Sequence, residues 1–386
     1  MSDITNDLGA YNIYDLRKIA LKRMPKFLFE FVDRGCEDEI ALRNNRAALD
    51  RVKLHPRMLV DVATRSQETT LFGNKQSMPI AIAPTGAAGL MWYQGEIALA
   101  RAAKAAGIPL ALSTASITSM EKVAEHAGGR LWFQLYMWKE RSMSHQLVKR
   151  AHAAGYEALI VTVDSVIHPN REYNKHNGYT RPFTFNRKNV TDVITHPGWL
   201  FNVLARYMLT TGMPRFENMP EEMKTNILRD KTLDKNQSLC WDDLKALRDM
   251  WPGKLMVKGI LNAQDAVMAA DCGADAVIVS NHGGRNLDSA RATIDVLPEV
   301  VDAVGHRMTV MIDSGFRRGS DVVKALALGA KTVLIGRSTL YGTAVAGQEG
   351  AARAIDIFRD EIDRILVQVG CRSVSELNRE HIRIEK

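Results

Sequence analysis

Eight short apolar runs, at residues 79–85, 109–114, 131–136, 158–164, 254–259, 276–281, 309–313 and 332–337, constrain this 386-residue chain more than any other feature. They are rich in β-branched residues and mostly follow Gly, Pro or polar residues. Runs this short and continuous read as strands buried on both faces. Helix-like stretches at 95–106, 120–126, 264–271 and 321–328 lie between most of them. The starts are spaced by about one βα unit, except for one gap of 96 residues between 158 and 254. Eight such units predict an α/β chain folded as a (β/α)8 TIM barrel with a long insertion after strand 4. A doubly wound sheet is the rival, but it usually has fewer strands and a Gly-rich first turn that is missing here. Before the first strand, 15–24 and 25–33 read as an N-terminal helical hairpin with Pro25 at the first helical position. After the last, 350–369 reads as an amphipathic helix ending at Gly370. Both are expected to cover the barrel, giving one domain over 1–386, with helices at about 11–35, the barrel at about 78–370 and the insertion at about 179–240.

Hydrophobic residues at 46% and charged residues at 25% exclude a disordered or collagen-like chain. Cys36, Cys240, Cys272 and Cys371 are too far apart for a zinc knuckle or a redox pair and read as reduced thiols. None of the ten His sits in a metal-binding HxH or HExxH pattern, so no metal is expected. The N-terminus lacks a signal-peptide pattern and no apolar run is long enough to span a bilayer, so a cytoplasmic location is expected. The formal charge is +7, and residues 179–215 concentrate it, with Arg181, Arg187, Lys188, Arg206 and Arg215 against Asp192 alone. No nucleic-acid motif accompanies these charges. Within 196–210, Leu200, Val203, Leu204, Tyr207 and Met208 repeat at helical spacing behind Trp199 and Phe201. Such a helix is too short to cross a bilayer but suits an anionic interface; packing on the barrel or on a neighbouring subunit is the alternative.

The carboxyl ends of barrel strands form the active-site face, and here they carry chemistry. Asp313-Ser-Gly-Phe-Arg-Arg-Gly and Gly336-Arg337 bring glycine-exposed N–H groups and cations to the last two loops, a phosphate-binding composition. Lys258 ends an apolar strand, where a buried cation needs an anionic partner. In Ser280-Asn-His-Gly-Gly-Arg285, His282 is a candidate general base and Arg285 a candidate clamp for a carboxylate. Arg171 lies seven residues beyond Asp164, and Asp164 is placed to pair with His282.

With SNHGGR, LWFQLY, VTVD…REY, MVKG, IDSGFRRGSDVVKALALGA and IGR in hand, residues 11–380 resemble the FMN-dependent α-hydroxy acid dehydrogenase/oxidase family, most of all its bacterial membrane-associated lactate and mandelate dehydrogenases. The resemblance implies oxidation of an L-2-hydroxy acid to the 2-oxo acid. Electrons would pass to a membrane quinone or other acceptor, and the enzyme would be a homotetramer peripheral on the cytoplasmic face of the inner membrane. It makes His282 the base, Asp164 its partner, Arg171 and Arg285 the carboxylate ligands and Tyr136 the group on the substrate oxygen. Lys258 would face the flavin N1 and C2=O edge. Pro84, Thr85, Gly86, Ser113, Gln134, Thr162 and Ser280 would line the ring and ribityl chain of FMN. Asp313, Gly315, Arg317, Gly336 and Arg337 would hold the ribityl chain and phosphate. Gly86, in the family's pattern, goes with dehydrogenases rather than oxidases. One position departs: Phe31 stands where the family usually has a Tyr that helps bind the substrate carboxylate. A hydroxy acid oxidase releasing hydrogen peroxide, a non-redox FMN isomerase and a non-enzymatic flavin or membrane scaffold are the alternatives.

Overall fold

The computed structural model describes residues 8–179, 183–219, 224 and 237–385. Ahead of the barrel lie α1 (Ile13–Arg23), α2 (Lys26–Asp33), α3 (Ile40–Arg51) and the short strands β1 (Val52–Leu54), β2 (Thr69–Leu71) and β3 (Asn74–Gln76). The barrel strands are β4 (Ile80–Thr85), β5 (Leu110–Ser113), β6 (Leu131–Leu135), β7 (Ala158–Thr162), β8 (Lys254–Ile260), β9 (Ala276–Val279), β10 (Thr309–Ile312) and β11 (Thr332–Ile335). They pair in chain order, all parallel, and close by β11 against β4, so all eight expected strands form one ring. The rival doubly wound sheet is thereby excluded.

Inward and outward side chains alternate along each strand, as the pleat requires. Among the inward ones, Ala81, Ala111, Ala158 and Ala276 are small and leave room for Trp132, which is fully buried in one cluster with Met256 and Met311. The β2–β3 hairpin lies at the lower mouth, where Phe72 meets Trp132 edge-on with ring centroids 6.3 Å apart. The final strand β12 (Ile382–Ile384) pairs antiparallel with β1, tying the tail to the start of the chain. Neither strand pair had a sequence signal, because strands of three residues carry no readable period.

The N-terminal hairpin forms as expected, one residue out of step: Pro25 precedes α2 instead of opening it. α1 is capped by the Asn12 side chain accepting from the Asp15 N–H. The expected C-terminal helix starts earlier, at Arg337, and runs to Val369 with a break at Ala346 and Gly347. The two arms cross so tightly that a Cβ on Gly342 would lie 2.1 Å from the Gly350 carbonyl oxygen. Gly370, with φ +69°, ends the helix as read from sequence.

The insertion leaves after β7 and contains helices at Glu172–Asn177 and Arg187–Ile194 and a helical run over 197–210. Arg181 lies outside the described residues. The expected apolar face of 197–210 is split. Trp199, Val203 and Tyr207 are buried against the barrel, whereas Met208, Phe201 and Leu209 face outward, the last two at 68% and 87% exposure. Leu200–Ala205 is a wider π-type turn, and the three inward residues lie four apart across it. Trp199 donates its indole N–H to the Leu90 carbonyl at 2.7 Å, and the Tyr207 hydroxyl accepts from the Gln94 N–H at 2.9 Å.

Trp132 supplies the volume that four alanines leave open. Trp132→Ala is expected to cost about 3–5 kcal/mol of stability, read as a lower midpoint in denaturant unfolding.

Candidate active site

The upper mouth of the barrel is a cavity of about 290 Å3. His282 follows β9 in a left-handed conformation, φ +56°, which a non-glycine residue holds only where its surroundings over-determine it. Its Nδ1 lies 2.9 Å from Asp164 Oδ1, and its Nε2 lies 3.4 Å from the Tyr136 hydroxyl. Asp164 reaches that position because Gly259 (φ +110°) has no side chain; a Cβ there would sit 2.6 Å from Asp164 Cβ. Burial holds the His282 pKa below its ordinary value near 6.5, with Lys258 and Arg285 acting in the same direction and Asp164 opposing. The imidazole is therefore neutral at pH 7. With Nδ1–H donated to the carboxylate, Nε2 keeps its lone pair for the cavity. Burial likewise raises the Tyr136 pKa, so its hydroxyl stays protonated.

Lys258 is buried, 3.2 Å from Asp313 Oδ2, and donates to Ser280 Oγ at 2.9 Å. Burial works against its charge, but Asp313 and Asp164 outweigh it and the pKa is raised. Arg285 and Arg337 share one seat, the carbonyls at the end of α2. Arg285 donates to the Phe31, Val32 and Arg34 oxygens at 2.6, 3.3 and 3.2 Å. Arg337 donates to Val32 and Arg34 at 2.8 and 3.1 Å and to Gly283 at 2.9 Å. Burial, and then Arg285, lowers the Arg337 pKa to about 10. Asp33 anchors this seat, bound by the fork of Arg17 at 2.6 Å on each oxygen and by the Tyr341 hydroxyl at 2.6 Å. Arg171 donates to the Arg285 backbone carbonyl at 3.4 Å, and both side chains line the cavity. The Phe31 ring lies 5.2 Å from the Arg285 guanidinium carbon and packs on Tyr179.

The opposite wall fits the polar edge of a flavin. Gln134 accepts from the Ser113 hydroxyl at 2.9 Å, while its Nε2 and the Thr162 hydroxyl are buried with no hydrogen-bond partner among the described residues. Buried donors and acceptors left this way are costly unless a ligand satisfies them. Around the other end, Gly315 (φ +90°) and Gly336, at the start of the last helix, leave backbone open beside Arg317 and Arg337.

Of the residues singled out from sequence, the cavity is lined directly by Phe31, Pro84, Thr85, Gly86, Ser113, Tyr136, Thr162, Arg171, Lys258, His282, Arg285, Asp313, Gly315, Arg317, Gly336 and Arg337. Asp164, Gln134 and Ser280 stand one step behind. Each bonds a lining residue, and Ser280 Oγ also accepts the His282 N–H at 3.1 Å. Sequence reasoning passed over Asn281, although it lies inside SNHGGR, and Ser314, whose hydroxyl accepts from the Gly283 N–H at 3.0 Å. It also passed over the apolar wall formed by Trp138, Phe216, Met219 and Leu239, the last three of them from the insertion. No local pattern marks those positions.

Comparison with known proteins places the chain in a family. The family model of FMN-dependent dehydrogenases matches residues 20–384. (S)-Mandelate dehydrogenase of Pseudomonas putida is 42% identical over 378 residues, 97% of this chain and 94% of that protein. L-lactate oxidase of Nostoc is 38% identical over 379 residues, 95% of this chain and 96% of its own. The crystal structure of the monotopic membrane protein (S)-mandelate dehydrogenase superposes with a TM-score of 0.92 at 40% identity, covering 97% of this chain and 100% of that one. The chain belongs to the FMN-dependent dehydrogenase family.

Proposed function

We propose that the protein oxidises a lactate- or mandelate-like L-2-hydroxy acid to the 2-oxo acid. In this reading it sits as a homotetramer on the cytoplasmic face of the inner membrane and passes electrons to a membrane quinone rather than to oxygen. One observation carries the reading: a neutral His282, oriented by Asp164, opens into the same cavity as Arg171, Arg285 and the buried cation Lys258. The names of the relatives supply the substrate class.

Arg171 and Arg285 take the substrate carboxylate, and their rigid donors fix its orientation. The Tyr136 hydroxyl donates to the oxygen on the α-carbon. His282 Nε2 accepts the proton leaving the substrate, and Asp164 stabilises the imidazolium that forms. Bound FMN would supply the acceptor for the two electrons and the second of the two hydrogens that the substrate loses, the other leaving as the proton taken by His282. Gln134, Thr162 and Ser113 would hold its ring edge, and Gly315, Gly336, Arg317 and Arg337 its phosphate. Lys258 presents a fixed positive charge where negative charge grows on reduction, in a site shielded from water. No helix among the described residues is long and apolar enough to cross a membrane. The outward Ile194, Phe201, Met208 and Leu209, near Arg187, Lys188 and Arg206, suit burial in an anionic interface, which would bring a lipid-soluble acceptor to the mouth.

His282→Asn is expected to retain FMN, read from its visible spectrum, and to slow anaerobic flavin reduction by lactate or mandelate at least 10²-fold. In the wild type, kcat/KM should be level above neutrality. It should fall tenfold per pH unit below a pKa under 6.5, because the protonated ring cannot accept a proton. Reduction at the wild-type rate in the variant, or a rate that rises on acidification, removes the base assignment.

Phe31→Tyr restores a donor near the two arginines. It is expected to raise kcat/KM for lactate about tenfold, matching 1.4 kcal/mol. A loss with mandelate but not with lactate would mean that the Phe31 ring is a wall for apolar substituents.

For the membrane, the intact protein should sediment with vesicles containing anionic lipid at low salt. Phe201→Glu with Leu209→Glu should bind at least tenfold more weakly. Equal pelleting of both would reject the anchor.

A further inference from the structure

Two neighbouring residues of α3 hold two different loops of the site, and neither touches the cavity. Asn45 is 1% exposed and forms a reciprocal amide pair with Asn281: Asn45 Nδ2 donates to Asn281 Oδ1 at 2.9 Å, and Asn281 Nδ2 donates to Asn45 Oδ1 at 2.7 Å. The same Asn281 oxygen accepts from the Gly284 N–H at 3.1 Å, and its nitrogen donates to the Arg291 carbonyl at 3.1 Å. His282 lies between Asn281 and Gly284 in its left-handed conformation. A strained residue stays in place only when its flanks are fixed, and the amide pair fixes them from outside the barrel.

Arg46, one residue on, points elsewhere, because successive helical side chains diverge by about 100°. Its Nη1 donates to the Gly315 carbonyl at 2.8 Å and to Asp321 Oδ2 at 2.5 Å. That buried carboxylate oxygen also accepts the N–H groups of Arg317 and Arg318 at 2.8 and 2.9 Å. Arg46 therefore closes the loop that presents Gly315 and Arg317. Gly315 itself lies close under α3, where an added Cβ would come within 3.0 Å of Asn45 Cβ.

We propose that Asn45 and Arg46 are positioning residues with separate duties: Asn45 holds the loop that carries His282, and Arg46 holds the loop that cradles the FMN phosphate. The inference rests on the site reading above, in which His282 is the base and the Gly315–Arg317 loop meets the phosphate. Its signature is a crossed pair of effects, which general loosening of α3 would not produce.

The test uses Asn45→Ala and Arg46→Met, with His282→Asn run beside them. FMN affinity is read from the flavin fluorescence of titrated apoprotein, and the chemical step from anaerobic flavin reduction at saturating substrate and FMN. Asn45→Ala should reduce at least tenfold more slowly, with FMN affinity within about twofold of wild type. Arg46→Met should bind FMN at least tenfold more weakly, equivalent to 1.4 kcal/mol, with the reduction rate of the FMN-saturated protein within about twofold. Should Asn45→Ala not fold, Asn45→Asp serves instead: it keeps one acceptor for Asn281 and turns the other bond into a repulsion. Arg46→Lys serves likewise for Arg46, keeping the charge while losing the reach to two acceptors. Loss of both properties together in either variant, or wild-type behaviour in both, overturns the proposal. If His282→Asn is slow and the Asn45 variant is not, the positioning role alone fails. If His282→Asn itself reduces at the wild-type rate, the site reading falls and this inference falls with it.

Discussion

Closure of the parallel sheet, β11 against β4, is the constraint on which the rest depends. A closed ring leaves no edge and points all eight carboxyl ends to one mouth. Residues 118 apart in sequence, Asp164 after β7 and His282 after β9, then meet at 2.9 Å. The register that brings them together also demands the irregularity between Lys258 and Ile260, where Gly259 yields its side-chain space to Asp164. The strand ring thus sets where the loops that carry Asp164 and His282 can meet.

The second determinant is charge. Lys258, Arg171, Arg285, Arg317 and Arg337 crowd one cavity. Cations this close repel one another and lose hydration, as the lowered pKa of Arg337 records. Two means of compensation are built in. Asp313 faces Lys258, and the free carbonyls at the end of α2 accept from both Arg285 and Arg337, which suits the negative end of a helix dipole. The remainder of the positive field favours anionic ligands, a carboxylate at one end of the cavity and a phosphate at the other. The same field, with burial, keeps His282 neutral and able to accept a proton.

The insertion has two faces with different work. Trp199 and Tyr207 bond the turn that follows Pro84, Thr85 and Gly86, and Asn218 accepts from the Met120 N–H at 2.8 Å, joining the returning chain to the loop after β5. Phe216 and Met219, on either side of Asn218, reach the cavity. The segment that offers apolar side chains outward is therefore also part of the wall around the substrate. Outward apolar side chains and cavity-lining ones thus come from the same insertion.

The β-branched runs and their spacing determined eight strands and their order, because strands buried on both faces leave a continuous apolar signal that turns and helices interrupt. The strand-end residues Lys258, His282, Arg285 and Asp313 were legible for a related reason: a charged or imidazole side chain directly after a buried strand has few places to go except the mouth. SNHGGR added a resemblance specific enough to assign FMN. What remained hidden depended on contacts between distant segments. The short strand pairs β1–β12 and β2–β3 have no periodicity of their own. The seat of Arg285 and Arg337 is made of backbone carbonyls, which any sequence possesses. The Asn45–Asn281 pair joins residues 236 apart, and nothing near Asn45 announces it. The apolar face of 197–210 was visible as a pattern, but which half of it would turn inward was not. Tertiary packing decided that, since the bonds of Trp199 to Leu90 and of Tyr207 to Gln94 hold Trp199, Val203 and Tyr207 inward and leave Phe201, Met208 and Leu209 outside.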